Sequence, residues 1–302
     1  MLPRTTTAYW LSRTVFSAEA WRPAEGSAML DFLPILIATG AVVGFMAALL
    51  GVGGGFILVP VMYWVMSGAG IPEDIALRTA FGTSLLVIVP TVLSSTYRHH
   101  KARKVDWRTS IALGVSGALG ALLGSTLAAS LPCQTLKIGF GVFVLVISVR
   151  MMVGIRAEGA ARDVPPQPRI VHLILLGTTM GVIAGLTGLG GGALMVPALV
   201  LLFHFPMVRA VATSSAAIVF TAPGGIIGYI SSGMGVPGLL PYSVGYVNLA
   251  IGLALMALSI PMAQLGARAA HAIDARKLRL LFVVLMVYTG LRMTGLLELL
   301  GL

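Results

Sequence analysis

Apolar residues run in long stretches along this chain, and polar residues gather in short gaps between them. Stretches with little or no charge cover residues 32–72, 79–97, 109–136, 138–149, 170–208, 210–267 and 280–291. A helix that crosses a hydrocarbon layer of about 30 Å needs about 20 such residues, at about 1.5 Å each. The two longest stretches therefore each hold more than one segment. The runs are continuous rather than alternating, which excludes the pattern of an outer-membrane barrel. The pattern predicts an all-α integral membrane protein, a polytopic helical bundle of about 8–10 segments.

Composition agrees. Only 10% of residues are charged and 57% are hydrophobic, with a mean hydropathy of +0.97. Soluble domains carry roughly 25% charged residues. Too few polar side chains remain here to cover a water-facing globule. The net charge of +10 does not point to nucleic acid, because the basic residues sit in separate short loops and not on one contiguous polar face. Cys133 is the single cysteine, which excludes an intrachain disulfide, a multi-cysteine metal site and a CxxC pair. Residues 1–28 hold Arg4, Arg13, Glu19, Arg22 and Glu25 with no apolar core. They read as an N-terminal extension without an assigned role.

The strongest organising signal is a repeat. Gly51-Val52-Gly53-Gly54-Gly55, then Pro60, recurs 137 residues later as Gly188-Leu189-Gly190-Gly191-Gly192, then Pro197. Gly44 likewise matches Gly181. Ala80-Phe81-Gly82-Thr83-Ser84 recurs as Ala210-Val211-Ala212-Thr213-Ser214. Gly124, Leu136, Phe140, Arg150 and Met151 match Gly266, Leu278, Phe282, Arg292 and Met293, all at a shift of 142. The expected organisation is repeat 1 at 29–155, a linker at 156–169 with Pro165-Pro166-Gln167-Pro168, and repeat 2 at 170–302.

Charge sets the relative direction of the repeats. Loop 98–108 carries Arg98, Lys101, Arg103, Lys104 and Arg108, whereas its counterpart at 231–245 has no charge. The turn at 132–137 has only Lys137, whereas its counterpart at 273–279 has Arg276, Lys277 and Arg279. Basic loops stay in the cytoplasm. Equivalent loops of opposite bias lie on opposite faces, so the repeats are inverted, as in many secondary transporters. With 98–108 and the linker inside and 231–245 outside, the chain crosses an odd number of times between 169 and 231. Three spans satisfy this, and so does one span plus a re-entrant hairpin. The glycine stretches break the chain into 31–50 and 56–68, and into 171–187 and 193–205. Five helical segments per repeat are expected.

A helix broken inside a membrane leaves backbone N–H groups that lipid cannot satisfy. Segments starting at Phe56 and Ala193 would turn those groups and a positive dipole end toward whatever lies there, which suits an anion. Glycines let an anion approach the backbone. They also permit tight helix packing, which is the reading for Gly177-x-x-x-Gly181-x-x-x-Gly185 and Gly120-x-x-x-Gly124. For the duplicated breaks the site reading is favoured. Candidate substrate-binding residues are Gly53, Gly54, Gly55, Phe56, Gly190, Gly191, Gly192 and Ala193, with side chains added at Gly54 or Gly191 expected to fill the anion's place. Thr83, Ser84, Thr213 and Ser214 either donate to the anion or bond a carbonyl one turn back; Thr187 and Ser215 are weaker candidates. Arg78 and Arg209 precede the hydroxyl pairs and either draw anions toward the two mouths or anchor at the interface. Arg150 and Arg292 read as snorkelling anchors. His99 and His100 are expected to be solvated, and His172, His204 and His271 are not spaced as metal ligands.

The stretches GVGGGFILVP, AFGTSL, GLGGGALMVPAL, AVATSSAAI and LPYSVGYVNL resemble the TauE/SafE sulfite exporter family, also called the toluene-sulfonate uptake permease family, over about residues 30–297. The resemblance implies a plasma-membrane carrier of small sulfur-containing anions such as sulfite, sulfoacetate and related sulfonates, or of other organic anions. A coupling ion, H+ or Na+, stays open. The alternatives are a passive anion channel and a membrane-embedded enzyme. The chain has no GxxxxGK[ST] phosphate loop, and Asp31, Glu73, Asp74, Asp106 and Asp274 all lie near segment ends rather than paired within a span. No cofactor or metal is expected.

Overall fold

The computed structural model describes residues 33–50, 53–154, 168–269 and 275–296. The extension at 1–28, Asp31, Gly51 and Val52 of the first break, most of the linker, and His271 with Asp274 lie outside the described residues. Ten helices follow in order: α1 Leu33–Leu50, α2 Gly55–Gly68, α3 Glu73–Lys101, α4 Trp107–Ser130, α5 Cys133–Gly154, α6 Ile170–Thr187, α7 Gly192–Phe203, α8 Met207–Gly233, α9 Leu249–Ala269 and α10 Ala275–Met293. Helices α3, α4, α6, α8, α9 and the Cys133–Arg150 part of α5 are long and apolar enough to cross a membrane. The apolar faces turned outward bear this out: on α4, Ile111, Val115, Leu119, Leu123 and Leu127 recur every fourth residue and are exposed, as suits a surface solvated by lipid.

Among the described residues, five helices precede the linker and five follow it. The principal packing respects their exchange. Helix α4 packs on α6, and α9 on α1; α8 packs on α4, and α3 on α9; α3 packs on α8, and α5 on α10. The correspondence holds atom by atom. A Cβ on Gly181 would strike the carbonyl oxygen of Gly117, and one on Gly44 would strike that of Ser259. Gly181 follows Gly44 by 137 residues, and Ser259 follows Gly117 by 142. Gly124 against the Val182 carbonyl is mirrored by Gly266 against that of Phe45. Glycine at these positions lets two backbones touch, the device that replaces hydrophobic burial between helices in lipid.

These contacts set direction. Gly177, Gly181 and Gly185 meet Leu113, Gly117 and Ala121 in turn, so α6 runs parallel to α4. Helix α7 leads through Phe205 into α8, whose Thr213 meets Asp106 at the start of α4. The start of α6 and the end of α7 therefore lie at the same end of the bundle, and both contribute to one apolar cluster, with Leu173, Leu113, Leu199 and Phe205. By length α6 can cross a membrane, and α7 brings the chain back. Three spans and one span plus a re-entrant hairpin both return the chain to this end. The hairpin α1–α2 opens at the opposite end, since α1 runs parallel to α9 through Gly40–Leu255 and Gly44–Ser259. There Arg78, early in α3, reaches the Leu131 carbonyl beyond the end of α4.

Two details differ from the sequence reading. The connection expected at 98–108 is shorter, because α3 continues to Lys101 and α4 begins at Trp107. His99 is consequently buried, one turn beyond Ser95 on the inward face, and only His100 is exposed. The uncharged connection after α8 also folds into a two-stranded ribbon, with Ser243 opposite Asn248 and Val244 opposite Val247.

Candidate functional site

Both glycine breaks form the turns predicted for them, and they meet. Gly53 and Gly54 have φ of 82° and 78°, and Gly190 and Gly191 have 74° and 82°. A residue with a Cβ loses roughly 1–2 kcal/mol in this left-handed region, which accounts for glycine at each position. Gly54 and Gly191 serve as N-caps of α2 and α7, and as glycines they supply no side-chain cap of their own. The helices begin at Gly55 and Gly192, one residue before Phe56 and Ala193, because the capping glycines complete the turn themselves. Pro60 and Pro197 each stand sixth in their helix.

The breaks touch across the pseudo-symmetry. A Cβ on Gly53 would lie 3.4 Å from Ile88 Cγ2 and 3.5 Å from the Leu189 carbonyl oxygen. One on Gly190 would lie 3.3 Å from both Ile218 Cγ2 and Ile88 Cγ2. Ile88 falls near the middle of α3 and Ile218 near the middle of α8. The two helices cross antiparallel, with Phe81 beside Tyr229 and Leu85 against Gly225. The two breaks are juxtaposed, and two isoleucines fill the space between them. Gly54 and Gly191 face away from that space: their Cβ atoms would press back on Val43 and Ala47, and on Met180 and Ala184, within their own hairpins. Gly53 and Gly55 face residues of the partner break, and Gly190 faces the two isoleucines that Gly53 also meets, whereas Gly54 and Gly191 face neither.

The hydroxyl pairs lie beside the breaks and are fully buried. Ser84 Oγ donates toward the carbonyls of Phe81 (2.8 Å) and Gly188 (2.6 Å), joining α3 to the second break. Thr83 Oγ1 accepts the backbone N–H of Asn248 at 2.9 Å, and Thr213 Oγ1 accepts that of Asp106 at 3.2 Å. Ser214 occupies the place equivalent to Ser84. Thr187 bonds the Ile183 carbonyl one turn back, whereas the buried Ser215 hydroxyl has no partner among the described residues.

The two arginines occupy opposite ends of the bundle, as expected, in different surroundings. Arg78 Nη2 donates to the Leu131 carbonyl at 2.9 Å, its Nη1 lies 3.5 Å from Asp74 Oδ1, and its guanidinium covers the Tyr246 ring at 5.9 Å. This is a clamp joining α3 to the end of α4 and to the ribbon between α8 and α9. Nearby, Lys137 pairs with Glu73 at 3.0 Å. Arg209 is half-buried in the first turn of α8 and makes no ion pair among the described residues. Arg292 reaches the Tyr288 hydroxyl and the Trp64 ring, as suits an anchor.

Comparison with known proteins resolves the class. Residues 36–293 match the family described as sulfite exporter TauE/SafE. The chain belongs to that family. With its spanning-length helices it is a multi-pass membrane protein of the transporter class. A probable membrane transporter protein of Methanocaldococcus jannaschii is 30% identical over 265 residues, covering 87% of this chain and 96% of the relative. One of Bacillus subtilis is 30% identical, with 86% and 95% covered. One of Haemophilus influenzae is 27% identical, with 88% and 99% covered. No solved structure matches the TauE/SafE chain.

Proposed function

We propose that this TauE/SafE protein is a secondary transporter of small sulfur-containing anions, sulfite or sulfonates such as sulfoacetate, and that the anion crosses where the two glycine breaks meet. The observation that supports this most is the contact of Gly53 and Gly190 with each other's surroundings across Ile88 and Ile218. Each break delivers a glycine-capped helix N-terminus to the middle of the bundle. The N-terminal N–H groups and the dipole favour negative charge, so backbone donors can hold an anion there, where no buried cation lies among the described residues. Separation of Ile88 from Ile218 makes room for it. The end holding Lys101, Arg103 and Lys104 faces the cytoplasm, because basic loops are retained there.

The test is transport by purified protein in vesicles. Labelled sulfite or sulfoacetate should accumulate above its equilibrium level when a proton or sodium gradient is imposed. Equilibration without accumulation would identify a passive channel. No flux above empty vesicles for any sulfur oxyanion would remove this substrate class.

A further inference from the structure

Two hydrogen bonds, each running between the two halves, tie the hydroxyl-pair helices to the starts of other helices. Thr83 of α3 accepts from the backbone N–H of Asn248, and Thr213 of α8 accepts from that of Asp106. Asn248 follows Asp106 by 142 residues, the shift that relates the later parts of the repeats. Each caps a helix in the same way. Asn248 Oδ1 accepts the Ile251 N–H at 2.9 Å and starts α9, whereas Asp106 Oδ1 accepts the Thr109 N–H at 3.2 Å and starts α4. All four bonds coexist in this structure.

Their placement gives them a distinct geometry. Thr83 stands five residues before Ile88, and Thr213 five before Ile218. At about 1.5 Å per residue this is roughly 7.5 Å. Because α3 and α8 are antiparallel, the two bonds lie on opposite sides of the crossing where the breaks meet. Other contacts close each side around its bond. Toward the Arg78 end, Tyr246 N donates to the Tyr229 carbonyl at 3.1 Å, and Gly82 rests against the Tyr246 carbonyl. Toward the basic end, Ser110 Oγ donates to the Thr213 carbonyl at 3.0 Å.

We propose that Thr83–Asn248 and Thr213–Asp106 are paired fasteners that hold the two approaches to the glycine breaks closed, one on each side. This rests on the transport reading: a carrier opens one approach at a time, so it must release one of these bonds while keeping the other. The four residues are positioning residues; the anion itself meets the glycine breaks. A pseudo-symmetric pair of this kind lets each half repeat the other's movement on the opposite face.

The experiment reads access and needs no substrate. A reporter cysteine replaces Ile88 in a Cys133→Ser background, and a membrane-impermeant methanethiosulfonate is applied to either face of vesicles. The face that labels Met234→Cys identifies the Arg78 end, and the face that labels Lys104→Cys identifies the basic end. Thr83→Val removes the acceptor while keeping the shape. It should speed reporter labelling from the Arg78 end several-fold, up to about tenfold for one hydrogen bond. Thr213→Val should do so from the basic end. Thr83→Ser and Thr213→Ser should restore slow labelling, and alanine at each position provides a second test if valine does not fold. Unchanged labelling, or acceleration from the same face in both variants, overturns the proposal. Either result can be obtained whether or not the protein carries sulfur anions, so the fastener reading and the transport reading fail separately.

Discussion

The hydroxyl of Ser84 reaches the carbonyl oxygen of Gly188 at 2.6 Å, across 104 residues of sequence. A hydroxyl from the first half thus satisfies a backbone group that the break in the second half leaves open. Without Ser84, that buried carbonyl loses a donor. Ser84→Ala should therefore lower stability by about 0.5–1.5 kcal/mol, the usual net value of such a bond. Thermal unfolding in detergent checks this: a melting temperature a few degrees below the parent is expected, with transport reduced by less than about tenfold.

The helix contacts predict a sharp contrast between glycines. Gly181 and Gly44 stand where a Cβ would collide with the backbone of α4 and α9. Backbone cannot move aside as a flexible side chain can, so Gly181→Ala and Gly44→Ala should prevent folding or split the bundle. Gly139 is helical, exposed and has nothing within 4 Å of a Cβ. Gly139→Ala should be neutral or stabilising by up to about 1 kcal/mol, from helix propensity. Size-exclusion yield and melting temperature separate the two classes; equal behaviour would contradict the packing described.

Much of this architecture is legible in the letters. The duplicated glycine stretch, the proline after it and the reversal of basic loops mark the repeats, because each reflects a local need: positive φ, a helix restart, a retained charge. Other features have no such local mark. Asp106 and Asn248 are structural equivalents written with different letters, and their bonds to Thr213 and Thr83 use main-chain N–H groups that every non-proline residue carries. The choice between Gly53 and Gly54 as the glycine facing the partner break depends on the turn direction, which composition does not encode. His99 looks like a loop residue only because the length of α3 is hidden by its polar last turn.

The arginines should behave differently. Arg78 joins three segments through its guanidinium, so Arg78→Gln should lower the melting temperature with little salt dependence in apparent affinity. Arg209 makes no ion pair among the described residues. Arg209→Gln should leave stability nearly unchanged and weaken apparent affinity from the basic end at low ionic strength, where screening is least. Affinity measured at two salt concentrations decides the matter; a low-salt loss for Arg78 alone would reverse the assignment.

The orientation follows from charge and is open to direct labelling. In a Cys133→Ser background, Met234→Cys, which is 66% exposed, should react with an impermeant maleimide added to intact cells. Lys104→Cys should react only after permeabilisation. The reverse pattern would turn the bundle over and remove the cytoplasmic placement of the basic loop.

If the anion meets the backbone where the breaks touch, Gly190→Ala disturbs the binding site itself. The added methyl would enter the space between Ile88 and Ile218 at 3.3–3.5 Å, a tight contact that flexible side chains can relieve, at a backbone cost of roughly 1–2 kcal/mol. The variant should still insert and fold. Sulfite at about 100 times its dissociation constant should stabilise the parent by about 2.7 kcal/mol. Gly190→Ala should lose that ligand-induced thermal shift together with transport per folded molecule. A variant that folds, shifts with sulfite and transports like the parent would contradict it and leave the breaks as packing devices alone.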